Sequence, residues 1–94
     1  MIIYGLKNCD ACRKALRANP GATLRDIRDH PLSADERARI IAARGPGVIN
    51  QRSTTWRGLS EAERAQTPDA LLAVHPALMK RPVIEIDGVV RPPA

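Results

Sequence analysis

The segment PVIEIDGVV, at residues 82–90, constrains the fold of this chain more than any other stretch. Two runs rich in β-branched residues flank Asp87-Gly88, and this residue pair favours the backbone conformation of a two-residue hairpin turn. The segment therefore predicts two antiparallel strands joined by a tight turn.

The N-terminal part of the chain predicts another pair of strands. Residues 2–6, IIYGL, form a short apolar run that is typical of a buried strand. Helix-forming residues follow from 10 to 18, a Pro and a Gly end that helix, and residues 23–27, TLRDI, alternate as a strand does. Because one short helix connects the two strands, we expect them to lie parallel with a right-handed crossover.

Capping signals predict three helices in the middle of the chain. The S-x-x-E pattern at 33–36 is a capping box and predicts a helix to about residue 44. The same pattern recurs at 60–63, and Thr-Pro-Asp at 67–69 begins a helix that ends near residue 75. We expect the inward-facing residues of the first and last of these helices to be Ala38, Ile41, Ala42, Leu71 and Leu72.

The complete order of elements indicates the fold. Residues 48–59 show no clear period and are predicted to form a loop. The order is then strand, helix, strand, helices and hairpin, which is the order of a thioredoxin-like α/β fold with a small mixed sheet. We expect residues 1–94 to form one domain, because 94 residues leave no length for another. The chain has no Phe, one Tyr and one Trp, so its core must be aliphatic.

Charge and hydropathy narrow the range of partners. Lys and Arg number 15 against 10 Asp and Glu, but the charges of both signs are interspersed, which does not favour direct nucleic-acid binding. Arginine is instead well suited to binding small oxyanions, because the N–H donors of its planar guanidinium group are held in a fixed arrangement that matches two oxygen atoms. No run approaches the ~20 apolar residues of a membrane helix, and the N-terminus lacks the layout of a signal peptide. We therefore expect a cytoplasmic protein that does not contact membranes.

Both cysteines lie in KNCDACRKAL, residues 7–16. In the cytoplasm a close cysteine pair is more often catalytic, redox-sensing or metal-binding than a lasting disulfide. Cys9 falls between the predicted first strand and first helix, where unpaired N–H groups and the helix dipole favour an anion. A thiolate is such an anion, so we predict a lowered pKa and a nucleophilic role for Cys9. Cys12 follows one turn later, within reach to resolve a mixed disulfide.

Other interpretations of these residues remain open. Cys12 shares an apolar helix face with Ala15 and Leu16, and it can be simply a small buried residue. A zinc site would need two further ligands, and the only histidines, His30 and His75, do not have the spacing of a metal motif. We therefore predict no metal, and a cysteine pair placed after a strand and before a helix favours a redox site.

Three stretches, YGLKNCDACRKAL, NQRSTTWRGL and HPALMKRPVIE, together resemble the ArsC/Spx-like family. This family comprises arsenate reductases, Spx regulators and small ArsC-related reductase-like proteins, and the chain is most similar to the last group. The resemblance implies a thioredoxin-like fold in which Cys9 is the catalytic cysteine and Cys12 matches the second cysteine of the Spx redox switch. It also implies that Arg81 precedes a cis-proline, Pro82, that faces the cysteines. Position alone would equally allow a trans Pro82 that merely starts a strand.

The resemblance extends to residues that would bind a substrate. In arsenate reductases the arginine that matches Arg81 helps to hold the oxyanion, and Arg52 and Arg91 are candidates for two further arginines of this kind. Asn8, directly before Cys9, is a further candidate for substrate binding. Members of the family usually continue past the hairpin into a C-terminal helix, and we expect this chain, which ends in RPPA, to lack it.

These observations predict a thiol-dependent oxidoreductase that uses the C-x-x-C pair. Cys9 would be the nucleophile, Cys12 the resolving cysteine, and Arg81 would hold an anionic group. Glutathione or a similar thiol would be the co-substrate, with no bound cofactor. One alternative is an arsenate reductase that depends on glutathione or glutaredoxin. Another is a non-enzymatic, Spx-like regulator that senses redox state and binds the α subunit of RNA polymerase.

Overall fold

Four strands form one mixed sheet in the computed structural model, which describes residues 1–92. The strands are β1 (Ile2–Gly5), β2 (Thr23–Asp26), β3 (Val83–Ile86) and β4 (Val89–Val90). Their order in the sheet is β2-β1-β3-β4. Strand β1 pairs parallel to β2 and antiparallel to β3, and β3 pairs antiparallel to β4. The mixed α/β architecture, the parallel pair and the terminal hairpin predicted from the sequence are confirmed.

Five α-helices within residues 1–92 connect the strands. They are α1 (Asp10–Ala18), α2 (Ala34–Arg44), α3 (Thr54–Arg57), α4 (Glu61–Arg64) and α5 (Pro68–Val74). Short 3-10 turns follow α2 and α5, at Gly45–Val48 and Pro76–Leu78. The start of α2 and that of α4 are fixed by capping boxes in which serine and glutamate exchange hydrogen bonds, as the sequence predicts.

Two layers of helix enclose the sheet. Consecutive strand residues point to opposite faces, and Tyr4 reaches Glu36 of α2 whereas Gly5 lies against Cys12 of α1. Helix α1 therefore covers one face and α2 the other. The larger apolar cluster lies on the α2 face, and it is almost wholly aliphatic. Its most buried members include Tyr4, Ile27, Ile40, Val48, Leu78, Met79 and Val83.

The inward face of α2 differs from the prediction. Ile40 is fully buried, whereas Ala38 and Ala42 are exposed and Ile41 is only half-buried. The reason is that Glu36, one turn before Ile40, also faces the sheet, where it pairs with Arg25 of β2. The prediction uses only the apolar residues of α2, so it does not assign the charged Glu36 to the inner face. It therefore places that face on the wrong side of the helix.

The predicted loop at 48–59 is also partly wrong, because α3 lies inside it. Ser53 begins this helix, and its hydroxyl oxygen accepts a hydrogen bond of 3.1 Å from the N–H of Trp56. A single turn is too short to show an apolar period, which explains why the sequence pattern did not reveal it.

The hairpin turn and the helix starts agree with the sequence. Asp87 and Gly88 have φ angles of 53° and 78°, the left-handed values that such a turn requires.

Within residues 1–92 no helix follows β4, and the last two residues of the RPPA segment lie outside the described residues. No helix in the described part of the chain has the length and hydropathy needed to cross a membrane.

Candidate redox site

Cys9 is the N-cap residue of α1, directly before the first helical residue, Asp10. Its backbone is extended, with φ −95° and ψ 122°, and its carbonyl accepts the helix-opening hydrogen bond from Arg13 at 3.0 Å. The Cys9 N–H donates to the carbonyl of Leu6 at 3.1 Å, so a tight turn links β1 to the helix. The thiol of Cys9 therefore lies at the positive end of the helix dipole, as the sequence predicts.

Several groups act on the Cys9 thiol. Partial burial is the largest influence and raises its pKa, but the backbone N–H and the thiol of Cys12 and the positive guanidinium of Arg81 together outweigh it. As a result, the pKa of Cys9 lies below its ordinary value. A half-buried thiol with a lowered pKa has the properties of an attacking nucleophile.

Cys12 shows the opposite behaviour. It is fully buried in the inner face of α1, and both cysteines are reduced. Burial raises the pKa of Cys12, and its hydrogen bond and charge interaction with Cys9 raise it further. Two neighbouring thiols whose pKa values are shifted in opposite directions are suited to act as a nucleophile and as a partner that stays protonated until the first thiol has reacted.

Arg81 and Pro82 directly precede β3, and the guanidinium of Arg81 acts on the Cys9 thiol. The Arg81-Pro82 peptide bond is cis. The Nη1 of Arg81 donates to the carbonyl of Ala77 at 2.6 Å, which holds the side chain against the second 3-10 turn. The Nε of Arg81 is buried and has no hydrogen-bond partner in the described chain.

A cavity of about 300 Å³ opens beside Arg81. It is lined by Arg44, Arg81, Pro82, Ile84, Arg91 and Pro92. Arg91 is brought there because its N–H donates to the carbonyl of Ile84 at 2.8 Å, which extends the ladder between β3 and β4 by one residue. Arg44 is the last residue of α2. Three arginines thus line one cavity.

Arg44 was not among the candidates from the sequence. Its position at the end of a predicted helix gave no sign that the helix terminus would lie beside residues 81–92. The only local signal is a basic residue directly before GPG, and basic residues in the last turn of a helix are common for reasons of helix stability alone.

The structure places Arg52 and Asn8 elsewhere. Arg52 is exposed, its N–H donates to the side chain of Asn50 at 3.0 Å, and it lines a different cavity with Lys80. Asn8 is exposed in the turn that leads to Cys9. Neither residue lines the cavity beside Arg81.

Within residues 1–92, no group of three or more acidic, histidine or cysteine side chains is arranged to hold a metal ion.

The sequence model of the ArsC family matches residues 4–91, nearly the whole described chain. The chain belongs to the ArsC family. An uncharacterized protein of Haemophilus influenzae is 38% identical in an alignment 95 positions long that spans 92% of this chain and 83% of that protein. Membership of the ArsC family supports a thiol-dependent redox function in general terms.

Solved structures of ArsC-related proteins share the fold. A protein named YffB superposes with a TM-score of 0.83 at 28% identity, covering 95% of this chain and 86% of that chain. The solution structure of an arsenate reductase (ArsC) related protein from Brucella melitensis has a TM-score of 0.72 at 31% identity, covering 95% and 82% of the two chains. The thioredoxin-like fold predicted from the sequence is thereby confirmed.

Proposed function

We propose that this ArsC-family protein is a thiol-dependent reductase of disulfides. The Cys9 thiolate attacks one sulfur of the substrate disulfide, forms a mixed disulfide with it, and releases the other half as a thiolate. Cys12 then loses its proton and attacks the sulfur of Cys9. This step releases the second substrate thiolate and leaves a Cys9–Cys12 disulfide.

The catalytic cycle closes with an external thiol. Two molecules of glutathione reduce the Cys9–Cys12 disulfide and become glutathione disulfide, so that two electrons pass from glutathione to the substrate. We place this reaction in the cytoplasm, where thiols are kept reduced. The observation that carries the proposal is the placement of the two thiols, with Cys9 at the N-cap of α1 and Cys12 fully buried one turn later in the same helix.

A coupled assay with NADPH, glutathione reductase and glutathione tests this function. Bis(2-hydroxyethyl) disulfide serves as a small substrate for the wild type and for the Cys9→Ser and Cys12→Ser variants. We expect turnover by the wild type and none by Cys9→Ser. A Cys9→Ser variant that retains full turnover would contradict the proposal. The Cys12→Ser variant tells whether resolution depends on Cys12 or is carried out by a second glutathione.

Arsenate reduction is a second candidate. The observation that favours it is the cavity next to Arg81, which is lined by three arginines, the residue type best suited to a small oxyanion. The thiolate of Cys9 would attack arsenic and displace one oxygen as water. A glutathione thiolate would then attack the sulfur of Cys9, so that the electron pair of the S–As bond stays on arsenic, arsenite leaves, and glutaredoxin or a second glutathione reduces the resulting mixed disulfide. Arsenate offered in the same assay, with glutaredoxin added, should then drive NADPH oxidation that requires Cys9. Absence of any signal at millimolar arsenate would exclude it.

If the folded, reduced protein were inactive in both assays, a regulatory role would be the remaining candidate. The same cysteine pair would then act as a redox switch for binding the RNA polymerase α subunit. Reversible co-purification with that subunit, different for the reduced and the oxidised protein, would support this role.

A further inference from the structure

The half-buried arginines of this protein fall into two groups. Within residues 1–92, five arginines are partly buried: Arg25, Arg37, Arg39, Arg44 and Arg81. The first three each pair with a carboxylate. Arg25 pairs with Glu36, Arg37 with Asp69, and Arg39 with both Asp35 and Glu85. Partial burial of a positive charge is thus matched by a negative one at each of these three sites.

Arg44 and Arg81 are the exceptions, and both line the same cavity. Neither forms a salt bridge with a residue of the described chain. The third arginine there, Arg91, is exposed and also forms no salt bridge within residues 1–92. None of the residues that line the cavity is acidic. Three arginines that line one cavity, with no acidic residue in its described lining, favour an anion from outside the chain.

The position of the cavity relates this anion to the reaction. Arg81 lines the cavity and also acts on the thiol of Cys9. Arg81 therefore connects the cavity to the redox site. The volume of about 300 Å³ is at the lower end for pockets that hold small organic ligands, so it has room for more than a bare ion.

We propose that this cavity binds a carboxylate of the thiol or disulfide substrate, and that Arg44 selects for substrates that carry this charge. The proposal rests on the proposed reductase function and narrows its substrate class. Arg44 reaches the cavity from the end of α2, whereas Arg81 and Arg91 belong to the strand region on the other side. Arg44 is a binding residue here, and it does not contact the reacting sulfur atoms.

A binding measurement that needs no turnover tests this inference. S-methylglutathione has both carboxylates of glutathione but no free thiol, and its diester lacks the carboxylate charges. The two compounds are titrated into the reduced protein and followed by NMR. Wild type, Arg44→Gln and Arg17→Gln are compared. Arg17 is exposed in the last turn of α1 and does not line the cavity, so its substitution removes the same charge elsewhere.

We expect Arg44→Gln to weaken binding of S-methylglutathione about tenfold, because a charge-assisted hydrogen bond is lost. Arg17→Gln should bind like the wild type, and the diester should bind weakly to all three proteins. Equal affinity of the wild type and Arg44→Gln for S-methylglutathione would overturn the inference, as would a diester that binds as tightly as the free acid. Arg44→Lys, which keeps the charge but not the fork of donors, provides a second variant if Arg44→Gln does not fold.

Inorganic phosphate distinguishes the two possible sources of the anion. If phosphate binds the wild type as tightly as S-methylglutathione, and with the same dependence on Arg44, the cavity is a site for free oxyanions and the assignment to a substrate carboxylate is wrong.

Disulfide reductase activity then distinguishes a failure of this inference from a failure of the proposed function. A protein that binds S-methylglutathione through Arg44 but reduces no disulfide would contradict the reductase function alone. Turnover that requires Cys9 but discriminates neither substrate charge nor Arg44 would contradict this inference alone.

Discussion

Gly5, at the end of β1, leaves room for the buried thiol of Cys12. A Cβ at this position would lie 2.3 Å from the Sγ of Cys12 and 3.1 Å from its Cβ. Neither atom can move easily, because Cys12 is fully buried in α1. The absence of a side chain at residue 5 therefore determines how closely the helix approaches the sheet beneath the two cysteines.

The substitution Gly5→Ala should displace Cys12 from Cys9. We expect a loss of stability of about 1–3 kcal/mol from overpacking, and a smaller equilibrium constant for forming the Cys9–Cys12 disulfide in glutathione redox buffers. Gly47→Ala is the matched control, since a Cβ there meets nothing within 4 Å. If both variants form the disulfide as readily as the wild type, Gly5 does not position Cys12.

The charge of Arg81 should be visible in the titration of Cys9. The lowered pKa of Cys9 depends on Cys12 and on Arg81, so Arg81→Gln should raise that pKa towards the ordinary thiol value. The pH dependence of alkylation by iodoacetamide, measured in a Cys12→Ser background for both versions of residue 81, reports this pKa directly. An unchanged profile would mean that Arg81 does not act on the thiol.

At the scale of secondary-structure elements, a polar cluster joins α2 to the sheet. The hydroxyl of Tyr4 in β1 lies 3.4 Å from a carboxylate oxygen of Glu36 and 3.3 Å from one of Glu85 in β3. Arg25 pairs with Glu36, and Arg39 pairs with Glu85. Burial, followed by the charge of Glu85, raises the pKa of Tyr4, which therefore stays a neutral hydroxyl between two carboxylates.

The Glu36 carboxylate makes the stability of this cluster depend on pH. Burial raises the pKa of Glu36, but the hydrogen bonds from Arg25 and from the Ser33 N–H outweigh this effect and lower it. A carboxylate whose pKa is lower in the folded state stabilises the protein above its unfolded pKa, and this contribution disappears as the pH falls through the folded pKa. The cluster should therefore be stabilising at neutral pH and lose that effect in acid.

Glu36→Gln tests this dependence, because glutamine can still serve in the capping box but carries no charge. We expect a loss of about 1–2 kcal/mol near neutral pH, measured by urea unfolding, and a smaller difference from the wild type in acid. Glu63→Gln makes the same change in the exposed capping box of α4 and should cost less. A Glu36→Gln effect that is constant across the pH range would contradict the role of the charge.

The ends of helices and the positions of turns could be predicted from the sequence more accurately than the side of a helix that faces the core. Caps and turns depend on residues close in sequence, so the start of α2 at Ser33 and the turn at Asp87-Gly88 follow from local chemistry. The face of α2 depends instead on Arg25, which is distant in sequence and pairs with Glu36. The location of Arg44 in the cavity likewise depends on where α2 ends relative to β3 and β4. Neither could be inferred without the tertiary arrangement.

At the scale of the whole molecule, the first strand and the last two strands meet in one core. Tyr4 of β1 belongs to the same buried cluster as Val83 of β3 and Val90 of β4. Strand β1 is hydrogen-bonded to both β2 and β3, so the α1 layer with Cys12 is attached to the same strands as the layer with α2 and α5. This arrangement predicts that the two layers unfold together, in one cooperative transition.

Two probes on different parts of the fold can test this cooperativity. Trp56 in α3 packs against the core on the α2 side, and Cys12 is buried on the α1 side. In a Cys9→Ser background, labelling of Cys12 by a thiol reagent should begin at the urea concentration at which Trp56 fluorescence changes, because full burial blocks the reagent until global unfolding. Labelling of Cys12 well below that concentration, with Trp56 fluorescence still native, would show that α1 opens by itself. The redox site would then lie on a separately unfolding unit, and the prediction of a single cooperative transition would be wrong.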